Sequence, residues 1–247
     1  MPQTTDALII REYNNIGEAD RFVAALTRDL GLIRASARGA RNIKSRNAAA
    51  TQLLAYSRLS LVKGRDKYII DSAAPLNVFF ELRSDITRLA VAQYFCELAG
   101  VLSPREEPAE AYLRLMLNAL YFLGREDQQP ERIKAVLELR MLTLAGYMPD
   151  LTACTGCGQG TCAGGFSLLP NEGVLVCRDC QRTGPTGLFL PEGILAAMRH
   201  IVYAPFEKCF AFQLGEDSAR QLAAVSERYL LAQLNRGFKT LDFYHTL

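Results

Sequence analysis

Between Asp29 and Asp66 the chain has no acidic residue. Residues 30–65 carry Arg34, Arg38, Arg41, Lys44, Arg46, Arg58, Lys63 and Arg65. With no carboxylate among them, positive potential is not cancelled locally, and the segment suits an extended polyanion. A solvated basic face is the alternative reading. Long apolar runs are also missing. Nothing approaches the roughly 18–20 residues that span a bilayer. Pro2, Gln3 and Thr4 follow Met1 with neither a basic n-region nor an apolar h-region, so no secretory segment is expected. Histidine is scarce, with only His200 and His245. There is no Walker-type glycine loop, no GxSxG and no HExxH, which removes the common signatures of nucleotide hydrolysis, serine hydrolysis and zinc proteolysis. His200 falls late in an expected helix and reads as a helix-end residue, not a base. No enzyme is expected, and no small-molecule substrate.

These absences point to the cytoplasm, where thiols stay reduced. The seven cysteines therefore read as metal ligands or buried thiols. The 247 residues, 49% apolar, suffice for two domains or one with an appendage. Residues 1–80 hold 12 Lys/Arg against 7 Asp/Glu, and the remainder 16 against 19. The basic character belongs to the N-terminal third, which suggests a division of labour.

The first third reads as five short strands. They fall at residues 7–13, 22–26, 32–38, 52–62 and 67–72, with turn chemistry at 14–17, 29–31 and 63–66. In the third, Ile33, Ala35 and Ala37 alternate with Arg34, Ser36 and Arg38. Arg34 and Arg38 then stand about 13 Å apart on the solvent side. Arg41, Lys44 and Arg46 follow in a loop. In the fourth, Leu53, Ala55, Leu59 and Leu61 are expected inward. Such a strand pattern fits a small closed barrel of the OB-fold type. Tyr13, Tyr56 and Tyr68 are candidate stacking platforms, against ordinary barrel packing as the plainer reading.

From residue 76 the period changes to that of helices. One is expected over 77–99 with Gly100 as its stop, a second from Pro108 to Gly124, and a third from Pro130 to Gly146. Their leucine stripes are core, and Cys96 within one reads as an inert thiol. Later helices are expected over 191–203 and 218–234, with 206–214 extended between them. The tail, holding Phe243 and Tyr244, is expected to dock on the core.

Cys154 and Cys157 form one CxxC pair, Cys177 and Cys180 a second, nineteen residues apart. Two such knuckles present four thiolates to one Zn²⁺. Residues 164–176 read as the hairpin between them. A redox dithiol is the rival, but no βαβ pattern surrounds either pair. Cys162 is a fifth thiol in the loop. Four cysteine ligands leave no open position, so the expected metal is structural, one per chain.

Three blocks resemble the RecO family of bacterial recombination mediators. They are residues 31–41 (GLIRASARGAR), residues 137–151 (LELRMLTLAGYMPDL) running into Cys154 and Cys157, and residues 228–234 (RYLLAQL). The resemblance implies an α+β multidomain chain. An N-terminal five-stranded OB-fold (1–76) precedes an α-helical domain (77–150 and 187–247) with an inserted zinc-binding element (151–186). It implies a non-enzymatic role in the bacterial cytoplasm, with the nucleoid. Such proteins bind single- and double-stranded DNA, anneal complementary strands, and act with RecR to load RecA on strands coated by single-strand-binding protein. The family's basic surface falls on Arg34, Arg38, Arg41, Lys44 and Arg46, and its zinc ligands on Cys154, Cys157, Cys177 and Cys180. A zinc-stabilised scaffold for protein partners, its basic face secondary, is the competing function.

Overall fold

The alternation in residues 31–37 comes from a strand with apolar residues on its inner side and the exposed Arg34 on its outer side. In the computed structural model, which describes residues 2–13, 19–42, 44–65, 67–183 and 187–247, Ile33, Ala35 and Ala37 point into a barrel core. The barrel is built from β1 (Gln3–Tyr13), β2 (Arg21–Thr27), β3 (Gly31–Ala37), β4 (Tyr56–Lys63) and β5 (Tyr68–Asn77). It closes in the order β1-β2-β3-β5-β4. Only the β3–β5 seam is parallel. Ala7, Ile9, Val23, Ala25, Leu59 and Leu61 complete much of the interior. The turn expected at 14–17 lies outside the described residues.

Over residues 7–10 and 23–27, β1 and β2 are buried on both faces. Leu8, Ile10, Ala24 and Leu26 point away from the barrel interior yet are buried, because α1 (Ile86–Leu102) and α2 (Glu110–Leu123) pack over these strands. The β2–β3 turn depends on Gly31, at φ +66°, where a Cβ would lie 2.4 Å from the Pro104 carbonyl oxygen. Leu53 is not part of the inward face expected for the fourth strand. Leu54 is left-handed (φ 67°), which breaks the alternation before β4 begins.

α1 starts nine residues later than expected. Phe79 is left-handed, residues 80–84 form a 3₁₀ turn, and Asp85 caps the helix by accepting from the backbone N–H of Thr87 and Arg88. Gly100 does not stop it. The helix runs on to Leu102 and packs against Ile10, whose side chain would be in ordinary contact, 3.8 Å, with a Cβ at Gly100. The tail returns as α6 (Lys239–Tyr244), held by Phe238 edge-on to Tyr94 at 5.7 Å and by Thr240 on Glu97. The docking residues are thus Phe238 and Leu241, both buried, while Phe243 is exposed. Residues 1–125 with 238–247 form one compact unit.

Residues 126–237 form the second unit. α3 (Pro130–Leu144), α4 (Glu192–Tyr203) and α5 (Glu216–Leu234) pack together. Their unit also holds a sheet in the order β6-β8-β7-β9, made of β6 (Asp150–Cys154), β7 (Phe166–Leu169), β8 (Val174–Cys177) and β9 (Leu188–Leu190). β7 and β8 are the expected hairpin. Residues 206–214 are not a strand. A 3₁₀ turn at Phe206–Lys208 leads into coil, whose Phe210 and Phe212 carbonyls accept from Arg132.

Candidate nucleic-acid interface and four-cysteine centre

Strand register decides which side chains share the outer face of the barrel. Tyr13 lies opposite Phe22 and Phe22 opposite Ser36, while Arg11 lies opposite Ala24 and Ala24 opposite Arg34. Directly opposed residues point to the same side, so Arg11, Tyr13, Phe22 and Arg34 form one surface. The Arg11 and Arg34 guanidiniums stand 5.1 and 5.9 Å from the Tyr13 ring centre. The Lys67 ammonium lies 4.1 Å from that of Phe22. Lys67 is brought there by the β4–β5 hairpin, tightened by Gly64 N–H donating to the Lys67 carbonyl at 2.9 Å. Lys63 and Arg65 are exposed on the same hairpin.

The loop after β3 is tied down through its backbone. Gly39 N–H donates to Asp20, Arg41 N–H to the Ala19 carbonyl, and the Arg21 guanidinium to the Ala48 carbonyl and the Thr51 hydroxyl. Arg41 also reaches the Tyr13 carbonyl at 3.4 Å. Arg38, Lys44 and Arg46 are left exposed. Arg58 stands apart. Its guanidinium pairs with both oxygens of Asp6, at 2.8 and 3.2 Å, seven residues along β1 from Tyr13, or about 23 Å at strand rise.

Of the three tyrosines, Tyr68 packs against the barrel core. Tyr56 lies near Asp6 and Arg58, its pKa raised chiefly by burial. Tyr13 alone of the three is on the cation-rich face. Sequence reading missed Arg11, Phe22 and Lys67 as partners. Lys67 follows Asp66, the acid that closes the acid-free run, and Phe22 turns outward only once β1 and β2 are in register.

The cysteine centre is assembled by β6, β8 and the knuckles after them. The sulfurs of Cys154, Cys157, Cys177 and Cys180 all lie within 4.8 Å of one another. Gly158, at φ +73°, lets the first knuckle turn back so that its N–H donates to the Cys154 carbonyl at 2.8 Å. Backbone N–H groups of Cys177 and Gly156 point at the Cys154 sulfur, at 3.2 and 3.4 Å. Burial pushes the Cys154 thiol up, but the N–H groups of Cys177, Cys157 and Gly156 outweigh it and bring it down to about 6. Cys180, facing the sulfurs of Cys177, Cys157 and Cys154, is pushed up to about 12. Four thiolates so close repel one another unless a cation lies among them. A tetrahedron with metal–sulfur bonds of about 2.3 Å has sulfur–sulfur edges of about 3.8 Å. The Cys157 and Cys177 sulfurs are 3.8 Å apart. The residues fit a tetrahedral metal. Cys162, half-buried, is not in the group. Arg199 of α4 holds β6 in place through the Leu151 and Thr152 carbonyls. Cys96 is buried and its thiol is pushed up to about 12 by desolvation. His200 ties the end of α4 to the Lys208 carbonyl at 2.8 Å.

A closed five-stranded barrel, helices and a four-cysteine sheet define an α+β OB-fold protein with an accessory metal-binding element. The family models for Recombination protein O N terminal and C terminal match residues 1–79 and 83–242. The DNA repair protein RecO of Acetivibrio thermocellus is 34% identical over 243 residues, 98% of this chain and 96% of that protein. That of Symbiobacterium thermophilum is 34% identical over 244 residues, with the same coverage. That of Dehalococcoides mccartyi is 34% identical over 197 residues, 80% of this chain and 77% of its own length. The chain belongs to the RecO family of DNA repair and recombination proteins. Among the described residues, no helix is long and apolar enough to cross a membrane.

Proposed function

We propose that this chain is a non-enzymatic, DNA-binding recombination mediator of the bacterial cytoplasm and nucleoid. It binds single- and double-stranded DNA, anneals complementary strands, and acts with RecR to load RecA on strands coated by single-strand-binding protein. The observation that supports this most is the outer barrel face. Cations there sit over Tyr13 and Phe22, and among the described residues Arg34 and Lys67 have no ion pair with a carboxylate. A basic groove with aromatic platforms suits single strands, whose bases stack on rings while phosphates meet cations. The proposed contacts are Arg34, Arg38, Arg41, Lys44, Arg46, Lys63 and Arg65. Arg58, neutralised by Asp6, contributes least. DNA contact belongs to residues 1–76, and structural Zn²⁺, one per chain, to Cys154, Cys157, Cys177 and Cys180 within 151–186. The helical segments 77–150 and 187–247 serve as the frame.

The test is fluorescence anisotropy of a labelled single-stranded oligonucleotide with wild type and an Arg34→Glu/Arg38→Glu/Arg41→Glu variant at two salt concentrations. With about five phosphate contacts, log K falls with log salt with a slope of about −3.5. The folded variant is expected to lose most affinity and to flatten that slope by about 2. Unchanged affinity, or salt-independent binding, sinks the mechanism.

A second reading, in which the second unit docks protein partners, is favoured by one observation. Leu144, Tyr147, Met148 and Tyr203 are exposed, and the Tyr203 hydroxyl lies 3.3 Å from the Pro149 carbonyl. Loss of RecR capture in a full-length Met148→Asp variant that still binds DNA would support it. A fragment without residues 1–75 is a poor test, because α1 and α2 pack on the barrel.

A further inference from the structure

The outer face of the four-stranded sheet carries an open trough. β7 places Ser167 opposite Phe189 of β9 and opposite Val176 of β8. Beside them is a cavity of about 330 Å³ between Arg178 and Phe189, over Gly164, Gly165, Ser167 and Gly187. A Cβ on Gly164 would meet the Arg178 stem at 2.9 Å, one on Gly165 the Phe189 ring at 3.0 Å, and one on Gly187 the Ser167 Cβ at 2.8 Å. The trough exists because these positions have no side chain. One wall is a phenyl ring that is 60% exposed. The other is an exposed guanidinium with no hydrogen bond or ion pair among the described residues.

A ring and a cation without a hydrogen bond or ion pair among the described residues, lining one cavity at the small end of the ligand range of about 300–1,000 Å³, combine the two elements that single-strand sites use. A peptide added to the edge of β9 would pair with a strand of only three residues and would lie two strands away from β8, whose end leads into Arg178. We infer that the trough takes one nucleotide of a single-stranded nucleic acid, its base against Phe189 and its phosphate at Arg178. The inference takes its ligand class from the DNA-binding reading above. The trough lies wholly in the second unit, so it is a contact separate from the barrel face.

The chain contains no tryptophan, so Phe189→Trp creates a single fluorophore in the trough. The full-length variant is titrated with an oligothymidylate, with tryptophan emission and the oligonucleotide's anisotropy read together. Emission is expected to be quenched on binding, and adding Arg178→Glu is expected to weaken the quenching midpoint about tenfold. Wild-type protein photocrosslinked to a 5-iodouracil strand supplies a readout without substitution, with the adduct expected on the peptide containing Phe189. Binding by anisotropy with no quenching and no such adduct overturns the trough and leaves the barrel reading standing. No binding in either channel overturns both. Quenching by an unrelated extended peptide, and not by the oligonucleotide, also overturns it.

Discussion

The two units engage their cations differently. In the second, Lys134, Arg132, Arg140 and Arg199 are turned onto carboxylates and carbonyls, while Arg178 stays exposed. Lys134 is buried between Glu138 and Glu227, at 2.8 and 2.7 Å, and Ser226 donates to Glu138. Arg132, Arg140 and Arg199 donate to backbone carbonyls. In the barrel, Asp6, Asp29 and Glu12 are engaged by Arg58, Arg28 and Arg21. That leaves Arg34, Arg38, Lys44, Arg46, Lys63, Arg65 and Lys67 with no hydrogen bond or ion pair among the described residues. The formal excess of positive charge is therefore a poor guide to where a polyanion binds. What matters is which cations lack partners.

The largest expected effect separates the units outright. Stripping the metal, or Cys177→Ser, takes away the ion that the four-cysteine group is proposed to hold. The sheet of the second unit is expected to lose its fold, because metal binding to such sites is coupled to folding and is worth about 10 kcal/mol or more. Oligonucleotide binding by the barrel face is expected to persist. Metal analysis should find one equivalent of zinc in protein purified without chelator, and less than half an equivalent contradicts the centre.

Next comes the buried triad. Lys134→Ala leaves Glu138 buried with no cation and is expected to cost about 3–5 kcal/mol in urea unfolding. Desolvation lowers the Lys134 pKa, but Glu138 and Glu227 more than offset this and raise it above its ordinary 10.5. A raised lysine contributes stability below its unfolded pKa and loses it as pH rises through the folded one. The cost should thus be full at neutral pH and shrink only beyond about pH 10.5. A uniform cost across that range would mean packing, not charge.

On the barrel, Tyr13→Ala and Phe22→Ala test whether the rings do more than seat cations. Each is expected to cost about 1–3 kcal/mol in single-strand binding, the range for loss of one stacked base, with little change for duplex. Equal losses for both DNA forms would reduce the rings to supports for Arg11, Arg34 and Lys67.

Local patterns were legible in the sequence, and contacts distant along the chain were not. The CxxC pairs announce their chemistry within four residues each, and the structure brings all four sulfurs together. β3 was legible because polar Arg34 and Ser36 alternate with Ile33, Ala35 and Ala37 of the core. Residues 7–10 of β1 and 23–27 of β2 are covered on both sides, so their apolar runs hide which residues point inward, and Phe22 could not be assigned outward before its register was known. Lys134 and Glu138, four apart on a helix, look like a surface pair. They are buried because α3 is packed around its whole circumference. The start of α1 was misplaced because Phe79 adopts a left-handed backbone that its residue type does not advertise.

The smallest effect is also the sharpest test of the rule that partners, not charge, decide. Arg34 and Arg58 are both exposed arginines of one barrel. Arg34 has a ring beside it and no hydrogen bond or ion pair among the described residues, whereas Arg58 is held by both oxygens of Asp6. Replacing each by glutamine removes the same formal charge. Arg34→Gln is expected to weaken single-strand binding and to flatten the salt slope by about 0.7, one phosphate contact. Arg58→Gln is expected to leave that slope unchanged, because its charge is already neutralised by Asp6. If both variants shift the slope alike, the barrel acts as a diffuse cation and the aromatic face loses its claim to be the site. If only Arg34→Gln does, the unpaired cations around Tyr13 and Phe22 are where the strand lies.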